Sequence, residues 1–291
     1  MQQNKRNTTI LTLLCCAAAL LIAKCAFQRN HITYINEDSS YSSNHRNVKK
    51  IQDQGKLADF ESVEVEGNVE LHFIYDKESK LPSYTISEED LEENELFFQV
   101  TRKNGKDVLR IEDLRDDPDS DRIRIRVHSR KINLNDLSLS KGAAAKITIE
   151  EKWLSMLNAE VNKGSSCTLE ANIDSLIVAA QDASSLKLSG DINVFHLKLT
   201  DASEATLSGS SKYLKASVLR ASELFADTFS TDSVDLKLLN SSEALLCSDK
   251  VNKNDIDNSS KLVVSSQPKK EDTNTSTTTD SVNVSKRTHR L

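Results

Sequence analysis

Across residues 143–264, apolar and polar residues alternate, and pairs of small residues interrupt the alternation at nearly even intervals. A seven-residue cassette, x-small-small-x-apolar-x-apolar, recurs seven times, starting at Ala143, Lys163, Asp182, Asp201, Arg220, Asn240 and Asn258. Successive starts differ by 20, 19, 19, 19, 20 and 18 residues. Positions two, four and six before a cassette are apolar in nearly every copy, as in Leu157/Ala159/Val161, Leu176/Val178/Ala180 and Phe195/Leu197/Leu199. Successive Cβ atoms of a strand point to opposite faces, so such alternation puts the apolar set on one side. Each repeat therefore predicts a strand, a tight corner at the small residues and a second short strand.

A unit of about nineteen residues cannot bury its own apolar face, but stacked units bury a continuous one. Parallel pairing between equivalent strands turns each apolar column into a ladder inside a coil. A chain turning over the core has no room for a large inward side chain, which explains the small residues. A period of two excludes helical repeats, and neither a leucine-rich pattern nor a six-residue pattern is present. Because parallel crossovers are overwhelmingly right-handed, the predicted fold is all-β, a right-handed parallel β-helix with rungs of ~19 residues.

Residues 57–140 keep the alternation and lose the spacing. Strand candidates there are Val63/Val65, Val69/Leu71/Phe73, Leu96/Phe98/Val100, Leu109/Ile111 and Ile123/Ile125/Val127. They predict irregular turns of the same stack or a β cap. At the far end Asn252 and Asn254 stand where the upstream columns would be apolar, which predicts a polar terminal unit closing near Ser266. The domain is thus 57–266.

Residues 1–27 have a targeting pattern, Lys5 and Arg6 followed by an apolar run from Ile10 to Ala23. That run is short for a membrane span. Three fates are open: a cleaved signal, a lipoprotein leader acylated at Cys25, or a retained anchor. Each places the remainder outside the cytoplasm, in the periplasm, on the outer membrane or secreted. Residues 28–56 read as a polar flexible spacer and 267–291 as a disordered Ser/Thr-rich tail.

Composition narrows the function. With 38 Lys+Arg against 44 Asp+Glu, the net charge of −6 argues against a nucleic-acid partner. Seven glycines and three prolines in 291 residues exclude collagen-like and Pro-rich classes. Three of five cysteines lie in the leader; Cys167 and Cys247 fall about four rungs apart, roughly 19 Å at ~4.8 Å per rung. A disulfide needs Cα atoms within about 7 Å, so two free thiols are predicted.

The segment Phe60-Glu61-Ser62-Val63-Glu64-Val65-Glu66-Gly67-Asn68-Val69-Glu70-Leu71, the stretch from Asn104 to Ile111, the strand from Ile123 to Val127 and the Asp-Ala-Ser ladder resemble the GIN domain family, the head of auto-transporter adhesins. The resemblance covers about 57–266 and implies a secreted or lipid-anchored bacterial β-helix without an established enzymatic role. This sequence departs from it in placing Ala or Ser where glycine would be expected, which implies stiffer corners.

Candidate chemistry follows from the cassette register. First positions give a column Lys163, Asp182, Asp201, Arg220, Asn240, Asn258; fourth positions give Lys146, Ser166, Ser185, Glu204, Glu223, Glu243, Lys261. Glu204, Glu223 and Glu243 form an acidic ridge, with Asp182 and Asp201 as a carboxylate pair beside it. The ridge is a candidate ligand face: it could hold Ca²⁺, supply the paired carboxylates of a polysaccharide-cleaving enzyme, or be a solvated edge. His72, His128 and His196 fall at outward positions without metal-ligand spacing, and no cofactor is predicted. Trp153 lies in a longer inter-strand stretch, where it is either a packed loop anchor or a sugar-stacking platform. The sequence therefore predicts an exported, adhesin-like cell-envelope module that binds surface glycan or protein, with catalysis on polysaccharide as the rival.

Overall fold

The computed structural model describes residues 54–265, apart from 80, 88–90, 92–94, 116–119 and 131–133. The leader with Cys25, most of the spacer and the tail lie outside the described residues. Strands make up the fold: β1 (Gln54–Lys56), β2 (Ser62–Glu66), β3 (Val69–Tyr75), β4 (Ser83–Ile86), β5 (Leu96–Lys103), β6 (Lys106–Asp113), β7 (Ile123–Ser129), β8 (Asp136–Ser140), β9 (Ala144–Val161), β10 (Ser166–Ala180), β11 (Ser185–Leu199), β12 (Glu204–Leu219), β13 (Glu223–Leu239), β14 (Glu243–Cys247), β15 (Val251–Ile256) and β16 (Lys261–Ser265). Together they form a β-solenoid. From β9 to β13 each strand pairs in parallel with its equivalent one repeat on: Cys167 with Leu186, Leu186 with Ala205, and Ala205 with Leu224.

The predicted columns are the core. Leu157, Leu176, Phe195, Leu214 and Val234 stack in register, as do Val161, Ala180, Leu199, Val218 and Leu238, and all are buried. Full burial of a leucine, isoleucine or valine side chain contributes about 1.5–3 kcal/mol. Cys167 and Cys247 are buried and unbonded, and burial pushes the Cys167 thiol up to about 12.

The corner is built differently from its sequence reading. The first two cassette residues, not the two small ones, make the turn, and both take left-handed backbone angles. Asp182 and Ala183 have φ of 58° and 59°, Asp201 and Ala202 60° and 59°, and Arg220 and Ala221 both 58°. An L-residue pays roughly 1–2 kcal/mol for that conformation. A backbone ladder holds it there: the second corner residue donates its N–H to the first corner carbonyl of the next rung, Ala183 to Asp201 at 2.9 Å and Ala202 to Arg220 at 3.0 Å. The third cassette residue points inward, and Ser165, Ser184, Ser203, Ser222 and Ser242 are all buried.

Two register assignments need correction. Ser166 pairs with Ala144, not with Lys146, so the first cassette begins at Lys141, twenty-two residues before Lys163. Lys141 and Gly142 carry the left-handed angles, and Lys146 moves into the sixth-position column opposite Thr168. At the far end Val251, not Asn252, continues the apolar column opposite Val234, and Asn252 pairs with Asp235. Val251, Ile256 and Leu262 pack against the core, with a register shift between the partners Leu236 and Lys237 accommodating the additional residue of β15.

All five upstream strand candidates are strands, but their order in space is not their order in sequence. β2 lies between β6 and β8, and β3 between β7 and β9, all parallel. The chain thus lays down one rung, passes outward to β4–β7, and returns on the other side. Antiparallel β4 covers β7 and β1 covers β4, drawing Gln54–Lys56 of the spacer segment into the sheet. β5 and β6 form a hairpin whose turn, Asn104 and Gly105, has φ of 52° and 82°, the positive angles that Asn-Gly favours.

Candidate ligand-binding face

Each rung breaks strict alternation once more, where two successive side chains face outward: Ser155/Met156, Asp174/Ser175, Asn193/Val194 and Lys212/Tyr213. This bend separates the cassette strand from the stretch leading to the next corner. That second stretch forms a continuous outer face from β6 to β15. One outward column crosses it: Ser62, Asp136, Asn158, Ile177, His196, Lys215, Asp235 and Asn252.

At the N-terminal end of this face the β5–β6 hairpin turn overhangs the strands and creates a cleft of about 440 Å³. Ser62, Glu64, Asp136, Ser138, Asn158 and Glu160 are among the residues lining it, with Lys103, Asn104 and Lys106 from the hairpin. Lys103 Nζ lies 2.6 Å from Glu64 Oε1, and Lys106 Nζ 2.6 Å from Asp136 Oδ2. Ser62 donates to Asp136 Oδ2 at 3.0 Å, and Asn158 Nδ2 donates to Asp136 Oδ1 at 3.2 Å. Burial pushes the Asp136 carboxyl up, but the hydrogen bonds from Lys106, Asn158 and Ser62 together outweigh it and hold it below the ordinary aspartate value. The hairpin is therefore tied to the coil by two lysines, and Asp136 is the knot.

Beside the cleft the same face turns apolar. Met156 and Val194 stand one rung to either side of Ser175, and Ile177 lies two residues along from it. They are 42%, 39% and 43% exposed. Tyr213 follows Val194 one rung on, and its hydroxyl donates to Asp235 Oδ2 at 2.7 Å. The His196 ring meets the Tyr213 ring edge-on, with centroids 6.3 Å apart. Trp153 lies within β9 opposite Asn172 and is 49% exposed, so the packed-anchor reading fails. It stands on the other side of the bend from Met156.

The acidic ridge predicted from sequence occupies a different face. Glu204, Glu223 and Glu243 do align on successive rungs, running from Ser185 at one end to Lys261 at the other. Lys261 Nζ reaches Glu243 Oε1 at 2.6 Å. Asp182 and Asp201 sit on adjacent corners. Arg220 NH1 contacts both Asp201 oxygens, at 2.7 and 3.0 Å, and Thr200 donates to the same carboxylate. Those bonds, Thr200 first and then Arg220, hold the Asp201 carboxyl below its ordinary value. Among the described residues no group of three or more His, Cys, Asp or Glu side chains is arranged to hold a metal ion.

The cleft escapes a reading of the sequence because its walls come from segments far apart in the chain. One local signal exists, Asn104-Gly105 between two alternating runs, which marks a hairpin. Nothing local shows which strand the hairpin overhangs.

The sequence profile of the family described as "Putative auto-transporter adhesin, head GIN domain" matches residues 59–268. No curated protein matches the chain. Solved structures with a similar fold include a putative adhesin from Parabacteroides merdae ATCC 43184, at 12% identity and a TM-score of 0.56 over 74% of this chain and 95% of that one. A putative adhesin from Parabacteroides distasonis ATCC 8503 gives 12% and 0.56 over 75% and 98%, and one from Bacteroides fragilis NCTC 9343 gives 14% and 0.51 over 73% and 93%. At such identities the likeness is one of fold.

Proposed function

The chain belongs to the putative auto-transporter adhesin, head GIN domain family, and from that membership we propose that it is an exported, non-catalytic binding module of the cell envelope. Its N-terminus would provide passage or attachment, through cleavage, acylation of Cys25 or retention, and the solenoid would present a rigid face to surface glycan or protein. The observation that carries this reading is the outer face itself. A polar cleft adjoins a patch of half-exposed apolar side chains on a sheet whose backbone hydrogen bonds are already made. Adjacent exposed apolar side chains beside a polar cleft support an interaction site there.

The rival, an enzyme working through Asp182, Asp201 and Glu204, finds less support. Both Asp201 oxygens are engaged by Arg220, and the cleft lies on another face. Binding of the purified full chain to a panel of glycans and matrix proteins tests the proposal. Saturable binding without turnover is the expected result; cleavage of a polysaccharide, or no binding to any member, overturns it.

A further inference from the structure

We infer that the outer face is a carbohydrate site for a neutral, hydroxyl-rich oligosaccharide, one end seated in the cleft under the β5–β6 hairpin and the other lying on the patch formed by Met156, Ile177, Val194 and Tyr213. This rests on the binding-module reading and specifies its ligand and location.

Four features of the face select that chemistry. First, the cleft carries uncommitted hydrogen-bonding groups. Among the described residues, Asn104, Ser138 and Glu160 make no side-chain hydrogen bond or ion pair. Ser138 and Glu160 are neighbours on adjacent strands and Asn104 lines the cleft from the hairpin turn, so a hydroxyl, a carboxylate and an amide offer acceptors and donors for sugar hydroxyls. An apolar ligand would leave them unpaired, at the desolvation cost such groups carry.

Second, the charges are mixed. Glu64, Asp136 and Glu160 face Lys103 and Lys106, so an anion meets three carboxylates and a cation meets two ammonium groups. An uncharged ligand escapes both repulsions. The lysines are also already occupied by Glu64 and Asp136, which leaves them fixing the walls rather than seeking a phosphate or carboxylate.

Third, the neighbouring patch suits the C–H face of a sugar ring. The small Ser175 stands between Met156 and Val194, one rung to either side. The Tyr213 ring is held by its bond to Asp235 and by His196, so little ordering remains to oppose stacking against it. From Asp136 to Lys215 the column crosses four rung steps, roughly 19 Å at ~4.8 Å each. That is room for a chain of several sugars.

Fourth, an extended peptide docks most readily by adding a strand at a sheet edge. This face is the middle of the sheet: β6, β2, β8 and the strands from β9 to β13 each have a neighbour on both sides.

The test is calorimetric titration of the full chain with cellotetraose, mannotetraose and chitotetraose, with tetragalacturonate as the charged control. At least one neutral tetrasaccharide should bind with a Kd of about 1 mM or tighter. Tyr213→Ala and Glu160→Gln, at opposite ends of the site, should each weaken it about tenfold or more. The melting temperature of each variant shows whether it is folded, and the exposed Glu160 position keeps the test valid if Tyr213→Ala unfolds.

The inference is overturned if no neutral probe binds, if tetragalacturonate binds better than all three, or if folded variants bind as the wild type does. Were the wild type to bind a matrix protein in the wider panel while all three tetrasaccharides fail, the carbohydrate assignment would fall and the binding-module reading would stand. Were it to bind nothing in either, both would fall.

Discussion

The corner serines supply a graded series within one protein. Ser184, Ser203 and Ser222 are equally inaccessible, at 1%, 1% and 0% exposure, and occupy the same place on successive rungs. Their hydroxyls differ in what they bond. Ser184 Oγ has no partner. Ser203 Oγ accepts from the Ser184 N–H at 3.2 Å. Ser222 Oγ accepts from the Ser203 N–H at 3.2 Å and donates to the Leu219 carbonyl at 2.7 Å. Truncating Ser203 to alanine orphans a buried N–H, a loss of about 1–3 kcal/mol. Ser222→Ala orphans both a donor and an acceptor and should cost more, about 2–4 kcal/mol. Ser184→Ala removes only a buried hydroxyl that bonds nothing, so it should be neutral or stabilising.

Urea unfolding reads the series directly. With m at the upper end of about 1–3 kcal/mol/M, a gap of about 2 kcal/mol between Ser184→Ala and Ser203→Ala separates their midpoints by about 0.7 M or more. The m-values should match the wild type, since no variant alters the surface exposed on unfolding. Equal destabilisation by all three would refute the argument, because it would mean that lost packing volume rather than hydrogen bonding sets the cost.

Three further outcomes follow from the same structure. Ala202→Gly relieves a left-handed alanine worth roughly 1–2 kcal/mol against a glycine entropy cost of about 0.5–1; a net gain of about 0.5–1 kcal/mol should appear as a raised urea midpoint, and a lowered midpoint contradicts it. Gly209→Ala places a Cβ 2.1 Å from the Gly190 carbonyl oxygen at a φ of 111°, and it should cost about 3 kcal/mol or more in the same assay. Asp136 titrates below its ordinary value in the folded state, so its contribution is full above about pH 3.9 and disappears as pH falls through the native value. The stability difference between wild type and Asp136→Asn should therefore shrink as pH falls below about 3.9; a difference independent of pH excludes that role.

The core of this fold is readable because a buried column constrains every rung in the same way. Leu176, Phe195, Leu214 and Val234 repeat at near-constant spacing since each must meet the one before it. The sequence pattern places the first cassette two residues late because Ala143, Ala144 and Ala145 satisfy a small-residue pattern in more than one register. The true register is marked by Lys141-Gly142, which repeats the Lys163-Gly164 of the next corner and carries the same left-handed backbone angles. The acidic ridge can be read from the register, since Glu204, Glu223 and Glu243 share one column. So can its counter-charges, since Arg220 follows Asp201 in the first-position column and Lys261 follows Glu243 in the fourth. Of the cleft only the Asn104-Gly105 turn can be read: its lysines and its carboxylates approach through an out-of-order crossing of strands that no local spacing records.

The uniform corner also makes the coil editable. Each of the central turns ends on the same pair of left-handed residues followed by the same inward serine. Excising 182–200 would join Gln181 to Asp201 and hand every neighbour an equivalent partner, shortening the stack by one layer of ~4.8 Å. Duplication would lengthen it by the same step. Descendants of this gene can thus change reach in fixed increments toward the C-terminal end, while the interleaved N-terminal cap tolerates no such splicing.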